Sequence, residues 1–284
     1  MPAADFISIV ITTYNRSDAL AAVLAGLAAQ DDRHFEVIVA DDGSTEAHQQ
    51  ATAAAAQACA LPITHVWHPD VGFTASRVRN LGVSVARGSY VLLLDGDCVP
   101  ETDFVRRHRH LMAPGCFVNG SRVLLSEALT RQALAGRCAV HGRSAMFWLA
   151  QRLQGHASKL TGLLRLPDFA ARTHSAFRWK GIRSCNMGVW RADYEAVDGF
   201  DESFVGWGHE DADFVLRLHN LGIKRKNGFC ATEVYHLWHA QASRQDESRN
   251  ADTVRQRMAS AQVLPTRGYK ESATASDAVV RRWG

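Results

Sequence analysis

The sequence predicts an α/β fold, a three-layer α/β/α sandwich with a mostly parallel central sheet. Short apolar runs of five or six residues alternate with Ala- and Leu-rich segments that are long enough for helices. A polar loop follows each apolar run. Such runs are typical of strands buried on both faces of a parallel sheet, and the loops after them gather at one edge of that sheet.

The first 125 residues contain most of the predicted strands, each an apolar run bounded by turn-forming residues. These strands are residues 6–11, 35–40, 63–67, 90–94 and 116–125. Four helices are predicted between these strands. The first covers residues 17–30, the second is an Ala-rich segment that ends at Ala60, the third contains Arg77, Arg79 and Asn80, and the fourth covers residues 100–112.

The second half is less regular. Residues 127–183 lack strand alternation and contain amphipathic stretches, so we expect a helical insertion over the rim of the sheet. Further elements are a strand at 184–190, a helix from 210 to 221, an aromatic strand at 233–239 and a tail helix near 252–263 before a loose end. We therefore predict one domain at 1–240, with parts 1–125, 127–183 and 184–240, and a helical or flexible tail at 241–284.

Composition indicates a cytoplasmic protein. The chain has 284 residues and a mass of 31.2 kDa, enough for one large core. Its longest apolar stretch, 19–29, is shorter than the roughly 20 residues of a membrane span, and its start lacks the basic and apolar regions of a signal peptide. The six cysteines are scattered without a Cys-x-x-Cys pair, which argues against a zinc site or a disulfide framework.

Positive charge is concentrated in one segment. The formal net charge is +3, but residues 129–183 contain ten Lys and Arg residues against one acidic residue, Asp168. Such a segment suits an anionic partner such as a membrane surface or a phosphorylated acceptor, and a solvated helix face is an equally good explanation. For its arrangement we consider a packed lid and a membrane-docking element, with the lid slightly favoured.

Two carboxylates directly follow the fourth strand. The run Tyr90–Leu94 is apolar throughout and leads into Asp95, Gly96 and Asp97. Ligands of open α/β sheets bind at the carboxyl ends of strands, and a glycine between two acids lets both approach one cation. The pattern predicts a hard divalent metal that holds a phosphate, although Asp-Gly alone is also a common turn.

Other loops at the same edge offer groups for a nucleotide. Tyr14 can lie against a base, Asp41 or Asp42 can accept the imide N–H of uracil, and Arg77 or Arg79 can contact diphosphate oxygens. Each residue also has a structural interpretation, because Asp-Asp-Gly-Ser forms turns and a helical arginine is more often solvated than functional. The functional interpretation is favoured because these loops all follow strand ends.

A second motif lies at residues 204–213. Glycines on both sides of Trp207 let the backbone present its indole as a platform for a sugar ring. Glu210 and Asp211 open a helix, where the dipole favours carboxylates for stability alone. Helical spacing nevertheless turns both acids toward the rim when the apolar positions face the core.

The third motif is His236-x-x-His239 at the end of the aromatic strand. Two imidazoles suit a metal when their rings converge, and with carboxylate oxygens they suit Mn²⁺ or a similar ion. A pair of histidines in an aromatic strand is more often structural, but Asp95 and Asp97 make a metal site the favoured interpretation.

Together these motifs resemble family 2 glycosyltransferases of the GT-A fold, which is Rossmann-like. The segments that carry the resemblance are Ile9–Arg16, Val39–Ser44, Asp95–Asp97 and Gly206–Asp211. The second half is similar to β-1,4-galactosyltransferases and bacterial chondroitin-type polymerases. The resemblance covers about residues 5–125 and 183–240.

The resemblance implies a UDP-sugar donor and a divalent cation, Mn²⁺ first and Mg²⁺ second. It implies that Asp97 binds the metal, that Asp95 contacts ribose or a metal-bound water, and that His239 or His236 completes the shell. The galactosyltransferases have Met-x-x-His where this chain has His-x-x-His, so the number of histidine ligands stays open. The first loop, with Thr12, Tyr14 and Arg16, is expected to bind the nucleotide sugar.

The same resemblance assigns the acceptor side. It implies that Asp211 is the catalytic base, that Glu210 holds a sugar hydroxyl, and that Asn186 lies near the donor. Trp207 and Gly208 are expected at the acceptor. One base with no evident enzyme nucleophile opposite it predicts single displacement with inversion.

The implied function is transfer to a glycan or glycolipid, in lipopolysaccharide or capsule synthesis, by a cytoplasmic enzyme with peripheral inner-membrane contact through residues 129–183 and no nucleic-acid partner. A catalytically silent carbohydrate- or nucleotide-binding module is an alternative that intact Asp97 and Asp211 disfavour. A sugar nucleotidyltransferase is disfavoured because its glycine-rich basic first loop is missing. The first loop also lacks Gly-x-Gly-x-x-Gly, which disfavours an NAD-binding Rossmann domain.

Overall fold

The computed structural model describes residues 5–240 and 246–283. Its strands in this part of the chain are β1 (Ile7–Thr13), β2 (Phe35–Asp41), β3 (Ile63–Trp67), β4 (Tyr90–Asp95), β5 (Cys98–Pro100), β6 (Cys116–Asn119), β7 (Ser121–Leu124), β8 (Thr173–His174), β9 (Asn186–Trp190), β10 (Lys224–Asn227), β11 (Glu233–His236) and β12 (Val279–Trp283). Its helices are α1 (Ser17–Ala28), α2 (Glu46–Ala58), α3 (Ala75–Ser84), α4 (Phe104–Leu111), α5 (Glu127–Leu134), α6 (Ala145–Leu153), α7 (Arg191–Ala196), α8 (Glu210–Asn220), α9 (Glu247–Met258) and α10 (Tyr269–Ala273).

A mixed sheet forms the middle layer. In the described residues it has nine strands in the order β12-β3-β2-β1-β4-β9-β6-β10-β8, and a smaller sheet has the order β5-β11-β7. Strands β3, β2, β1 and β4 run parallel, while β9 runs antiparallel to β4 and to β6. The predicted sandwich is confirmed, but within the large sheet the parallel pairs are limited to the first half and to the β6–β10 pair.

Two hydrophobic cores lie on opposite faces of this sheet. Side chains alternate along β1, so that Ile9 and Ile11 pack with Leu20 of α1 on one face. Val10 packs with Val78 of α3 on the other face. Since both faces are covered, β1 and β4 are buried along nearly their whole length, which explains their unbroken apolar runs.

The predicted strand at 116–125 is two strands in two sheets. Gly120 separates them, and a Cβ at this position would lie 2.2 Å from the side chain of Asn186. The chain therefore leaves the large sheet at β6 and continues in the small sheet at β7, where it pairs with β11.

Residues 127–183 are packed against the domain rather than set apart from it. Trp148 of α6 is 2% exposed and stacks on Tyr235 of β11 at a centroid distance of 4.1 Å. Arg172 is also buried, and its guanidinium donates to the carbonyl oxygens of four residues, Leu166, Pro167, Asn227 and Phe229. Arg172, one of the many cations of this segment, therefore stabilises its packing against the domain. This favours the packed arrangement over a detached insertion.

The tail differs from the prediction of a helix followed by a loose end. Its first five residues, 241–245, and residues 1–4 and 284 lie outside the described part of the chain. Helix α9 begins earlier than predicted, α10 follows, and β12 pairs antiparallel with β3 at the edge of the large sheet. Trp283 stacks on the buried His65 at 4.3 Å, and this apolar contact explains why the segment is ordered as a strand.

All six cysteines are free thiols. Among the described helices, none combines the length and the apolar content needed to span a bilayer.

Candidate active site

A cavity of about 920 Å³ opens at the carboxyl ends of the first four strands. It brings together most of the residues predicted for the site. They are Thr12, Tyr14, Arg16, Asp42, Arg79, Asp95, Asp97, Trp207, Gly208, Glu210, Asp211, His236 and His239. Acids from the two halves of the chain, Asp97 and Asp211, therefore share one cavity, and its size suits a substrate of sugar-nucleotide dimensions.

A second cavity, of about 690 Å³, lies outside α2 and is lined by Trp67, Trp283 and residues of α2. It contains none of the predicted site residues. We assign the site to the larger cavity because the titratable groups converge there.

The turn after β4 places the two carboxylates. The Gly96 N–H donates to the carbonyl of Thr12 at 2.8 Å, and a Cβ on Gly96 would lie 2.8 Å from that oxygen. The close approach requires glycine at this position. Beyond the turn, the Leu237 N–H donates to the carbonyl of Asp97 at 2.9 Å, which ties Asp97 to the end of β11.

This connection brings the histidines to Asp97. Strand β5 pairs antiparallel with β11, with His236 opposite Cys98. The Nε2 atoms of His236 and His239 lie 3.7 Å and 3.3 Å from Oδ2 of Asp97. One ligand atom each from Asp97, Cys98 and His236 lies within 4.8 Å of the others.

The donor set at Asp97 fits a divalent cation. Nδ1 of His239 lies 2.8 Å from the carbonyl oxygen of Ala240, a contact that orients the ring so that Nε2 faces Asp97. A carboxylate oxygen and an imidazole nitrogen that face each other at 3.3 Å are ligand types that suit Mn²⁺ or a similar ion. Burial lowers the pKa of His236, which keeps this imidazole in the neutral form that ligates metals.

Arg79 links the two halves of the site. It is 5% exposed; its Nη1 lies 3.1 Å from Oε1 of Glu210, and its Nη2 lies 3.4 Å from Oδ1 of Asp95. The same Asp95 oxygen accepts the hydroxyl of Thr12 at 3.0 Å. One buried cation therefore holds a carboxylate from each half of the chain.

The loop before α8 presents Trp207. Gly206, Gly208 and His209 have φ values of 75°, 107° and 70°, all in the left-handed region. A Cβ on Gly206 would lie 2.3 Å from the Asp246 carboxylate at the start of α9. This loop turns the indole of Trp207, which is 37% exposed, into the cavity wall.

Helix α9 supports that loop. The side-chain amide of Asn250 donates to the carbonyls of Val205 and Gly208 at 3.2 and 3.0 Å. On the opposite side, Nε1 of Trp179 donates to Nδ1 of His209 at 3.2 Å. The predicted tail thus contributes to the wall of the site.

Asp211 has the properties of a base that works near neutral pH. Burial and the adjacent charge of Glu210 raise its pKa to about 7, against the opposing effect of Arg79. The backbone N–H groups of Ala212 and Ser184 also favour the ionised form, but more weakly. Asp213, two residues on, is buried in ion pairs with Arg217 and Arg257 and belongs to the core.

The loop after β1 also lines the cavity. The Tyr14 hydroxyl donates to Asp70 at 2.8 Å and its ring stays 47% exposed. Arg16 pairs with Asp18 at 3.0 Å at the cavity edge. Asp42 reaches the cavity, although its carboxylate already accepts hydrogen bonds from the Thr74 N–H and from Thr74 Oγ1.

Three predicted site residues do not line the cavity. Asp41 is 1% exposed and accepts from Nε2 of His65 and the Ser44 N–H, so Asp42 is the acid of this pair that reaches the site. Arg77 and Asn186 do not reach the cavity for different reasons. Arg77 points away from the site on α3 and pairs with Asp277.

Asn186 is the third predicted residue that does not line the cavity. Its amide is buried, donates to the carbonyls of Ser121 and Thr232, and lies 3.0 Å from Nε2 of His108. It joins the two sheets beside Gly120 and has no atom in the cavity wall.

Comparison with known proteins identifies the family. The model of glycosyl transferase family 2 matches residues 8–165, and a model described as the N-terminal domain of galactosyltransferase matches residues 165–240. The chain belongs to glycosyltransferase family 2.

Curated relatives agree with this family. Chondroitin synthase of Escherichia coli is 31% identical over 241 residues, which is 77% of this chain and 33% of that protein. Validoxylamine A glucosyltransferase of Streptomyces hygroscopicus subsp. jinggangensis is 30% identical over 227 residues, 76% of this chain and 52% of that protein. The family 2 chain thus spans between a third and about half of these relatives.

Solved structures show the GT-A fold. TarS 1–349 of S. aureus in complex with UDP aligns with a TM-score of 0.59 at 15% identity, covering 94% of this chain and 68% of that one. A mannosyltransferase of Pyrobaculum calidifontis in complex with GDP-Man and Mn²⁺ aligns with a TM-score of 0.55 at 16% identity, covering 84% and 59%.

Part of the cavity wall consists of residues that were not predicted from the sequence to belong to the site. Residues 179–185 line it, together with Arg122 and Trp238. They include the end of the basic segment, and no motif distinguishes them. Trp179, Lys180 and Arg183 precede the amino end of β9, and this end lies beside the carboxyl end of β4 because the two strands are antiparallel. The antiparallel pairing was not predicted, so no sequence pattern placed these residues at the site.

Proposed function

We propose that this protein is a metal-dependent inverting glycosyltransferase. It would move a hexose or N-acetylhexosamine from a UDP-sugar to a hydroxyl of a glycan or glycolipid. The observation that carries the proposal is that one cavity is lined both by Asp97 with two histidines and by Asp211 with Trp207. A leaving group and an attacking hydroxyl need these two environments on opposite sides of one sugar.

The donor would lie along the first-half loops. Thr12, Tyr14, Arg16 and Asp42 line the cavity and would contact the nucleoside, and Asp95, which accepts a hydrogen bond from Thr12, would continue this surface toward Asp97. A related fold binds UDP and UDP-GlcNAc in TarS, which supports a uridine donor. Arg79 would contact the donor only if it exchanged one of its carboxylate partners for a phosphate.

Asp97, His239 and His236 would hold the cation, with Mn²⁺ proposed first and Mg²⁺ second. Imidazole with carboxylate favours Mn²⁺ over the harder Mg²⁺. When bound, such an ion neutralises charge that builds up on the diphosphate leaving group. Asp95 is fixed by Thr12 and Arg79, so we assign it a donor contact rather than a direct bond to metal.

Asp211 would act as the base. Its raised pKa gives it an appreciable affinity for a proton at neutral pH, and a base of this kind contributes about 10²- to 10⁴-fold to rate. Glu210, held by Arg79, is placed to orient a sugar hydroxyl. With one base, single displacement inverts the anomeric centre.

The acceptor would stack on Trp207 where Gly208 leaves the backbone open. Lys180 and Arg183 are exposed on the same wall, which supports an anionic acceptor. The relatives named for chondroitin, hyaluronan and amylovoran biosynthesis support a role in bacterial surface polysaccharide, lipopolysaccharide or capsule synthesis. Free cysteines are compatible with a cytoplasmic enzyme that meets a glycolipid at the inner membrane.

The test is a panel of nucleotide sugars incubated with the protein and Mn²⁺, with EDTA as control. We expect release of UDP from at least one UDP-sugar, loss of release in EDTA and recovery with added Mn²⁺. NMR of the transferred sugar should show an anomeric configuration opposite to that of the donor. Binding without turnover of any donor would support a silent module instead. Formation of a nucleoside triphosphate and a sugar phosphate only when pyrophosphate is added would support a nucleotidyltransferase.

A further inference from the structure

Helix α6 has an apolar face that the domain does not cover. Met146, Leu149 and Leu153 are 73%, 41% and 81% exposed, and their spacing of three and four residues places them on one side of the helix. The opposite side is anchored by Trp148. Soluble proteins rarely expose several large apolar side chains together unless the surface has a partner.

Three arginines on α6 or shortly before it in the chain have no carboxylate partner among the described residues, although Arg143 donates to the carbonyl of Ala139 and lies over the ring of Phe147. Arg137, Arg143 and Arg152 are exposed, and within residues 5–240 and 246–283 no ion pair joins any of them to a carboxylate. The sequence has no Asp or Glu between Ala128 and Pro167. The region therefore combines hydrocarbon-seeking side chains with guanidinium groups that bind phosphate oxygens.

We propose that α6 and its three arginines form a docking surface for an anionic phospholipid membrane. Apolar side chains of a surface helix enter the boundary of the acyl chains while flanking arginines contact lipid phosphates. A second copy of the chain is a poor occupant, because a two-fold contact would bring the same three cations against each other.

The docking surface is rigidly connected to the candidate site. Trp148 stacks on Tyr235, the residue before His236, and the Trp238 N–H donates to Thr130 of α5 at 2.8 Å. Membrane docking would thus hold the metal side of the cavity close to the bilayer. The idea that docking brings a lipid-linked acceptor to the cavity rests on the proposed function. The binding of lipid by this surface does not.

The test is co-sedimentation of the protein with vesicles of phosphatidylglycerol or of phosphatidylcholine. We expect binding to phosphatidylglycerol, weak binding to phosphatidylcholine, and release at high salt. The variant M146S/L149S/L153S should bind at least about ten-fold more weakly, and so should R137Q/R143Q/R152Q. The control M258S/L264S changes side chains that are 49% and 52% exposed elsewhere and should bind like the wild type.

Two results would overturn the proposal. One is wild-type binding no stronger than that of M146S/L149S/L153S while circular dichroism and melting temperature show both folded. The other is no vesicle binding together with self-association that the same variant abolishes, which would assign the face to a second copy. Release of UDP measured without vesicles should be equal in all variants, so a failure of lipid docking is distinguishable from a failure of the proposed chemistry.

Discussion

Nη1 of Arg79 lies 3.1 Å from Oε1 of Glu210, so a helix of the first half of the chain is joined to the acidic helix of the second half inside the cavity. The same guanidinium reaches Asp95 at 3.4 Å. These contacts fix the distance between the side that would hold the metal and the side that would hold the base.

The pH dependence of transfer should reflect Asp211. A base acts when deprotonated, so kcat/KM should rise with pH through about 7 and then level off. Asp211→Asn should lower kcat by about 10²- to 10⁴-fold and remove that rise. The control Asp252→Asn changes an exposed acid of α9 and should keep the wild-type profile. Near wild-type turnover in Asp211→Asn would refute the base assignment.

The free energy of unfolding should fall with rising pH as Asp211 ionises, whereas the activity should rise. The pKa of Asp211 rises from 3.8 to about 7 on folding, so ionisation costs free energy in the folded state and stability falls as pH rises from about 4 to about 7. Asp211→Asn removes this cost. Its melting temperature should exceed that of the wild type at pH above about 7, and the difference should shrink toward pH about 4. Equal pH dependence in both proteins would contradict the raised pKa.

Mn²⁺ binding should depend on both histidines. His239→Ala and His236→Ala should each weaken direct Mn²⁺ binding, followed by electron paramagnetic resonance, by at least about ten-fold, since each removes a proposed ligand. Asp97→Ala should abolish it. His110→Ala, on the exposed side of α4, is the matched control and should bind like the wild type. If only one histidine variant is affected, the other imidazole is not a ligand.

Arg79 and Arg77 provide a matched pair on α3 for stability. Arg79→Met leaves Asp95 and Glu210 without their buried partner and should lower the free energy of unfolding by about 3 kcal/mol. Arg77 pairs with an Asp277 side chain that is 45% exposed, so Arg77→Met should cost less than about 1 kcal/mol. Urea unfolding of the two variants measures the difference. Equal losses would mean that the Arg79 contacts are not important for stability.

Trp207→Ala should affect the acceptor rather than the donor. Loss of a stacking platform should raise the acceptor KM by about ten-fold, while hydrolysis of the donor by water stays nearly unchanged. Phe229→Ala changes another exposed aromatic ring outside the cavity and serves as control. A change in donor hydrolysis equal to the change in acceptor KM would place the indole at the donor.

Sequence patterns predicted the parts of this fold whose local signal agrees with their environment. The strands before residue 95 are apolar because both faces are covered, and the loops after them reach one edge because the strands are parallel. Asp97, Asp211 and the two histidines could be predicted to meet because each follows a strand end or opens a helix at that edge.

Other features depend on contacts that neighbouring residues do not encode. Asp41 and Asp42 are adjacent acids that contact the buried His65 and His68 respectively, and only Asp42 also lines the cavity. Arg77 and Arg79 differ by their position around α3, and Asn186 is buried because Gly120 leaves room for its amide. The wall at 179–185 and the β12 strand likewise depend on tertiary packing, which overrides the weak local preferences of their residues.

The pairing of β12 with β3 has a consequence for synthesis of the chain. Trp283 pairs with Ile63, more than 200 residues earlier, so β3 emerges from the ribosome long before the strand that completes its edge. During that interval the outer edge of β3 has unsatisfied backbone groups, which is a recognised route to aggregation of nascent chains. The yield of folded enzyme should therefore respond to translation speed and chaperone supply more than to the chemistry of its active site.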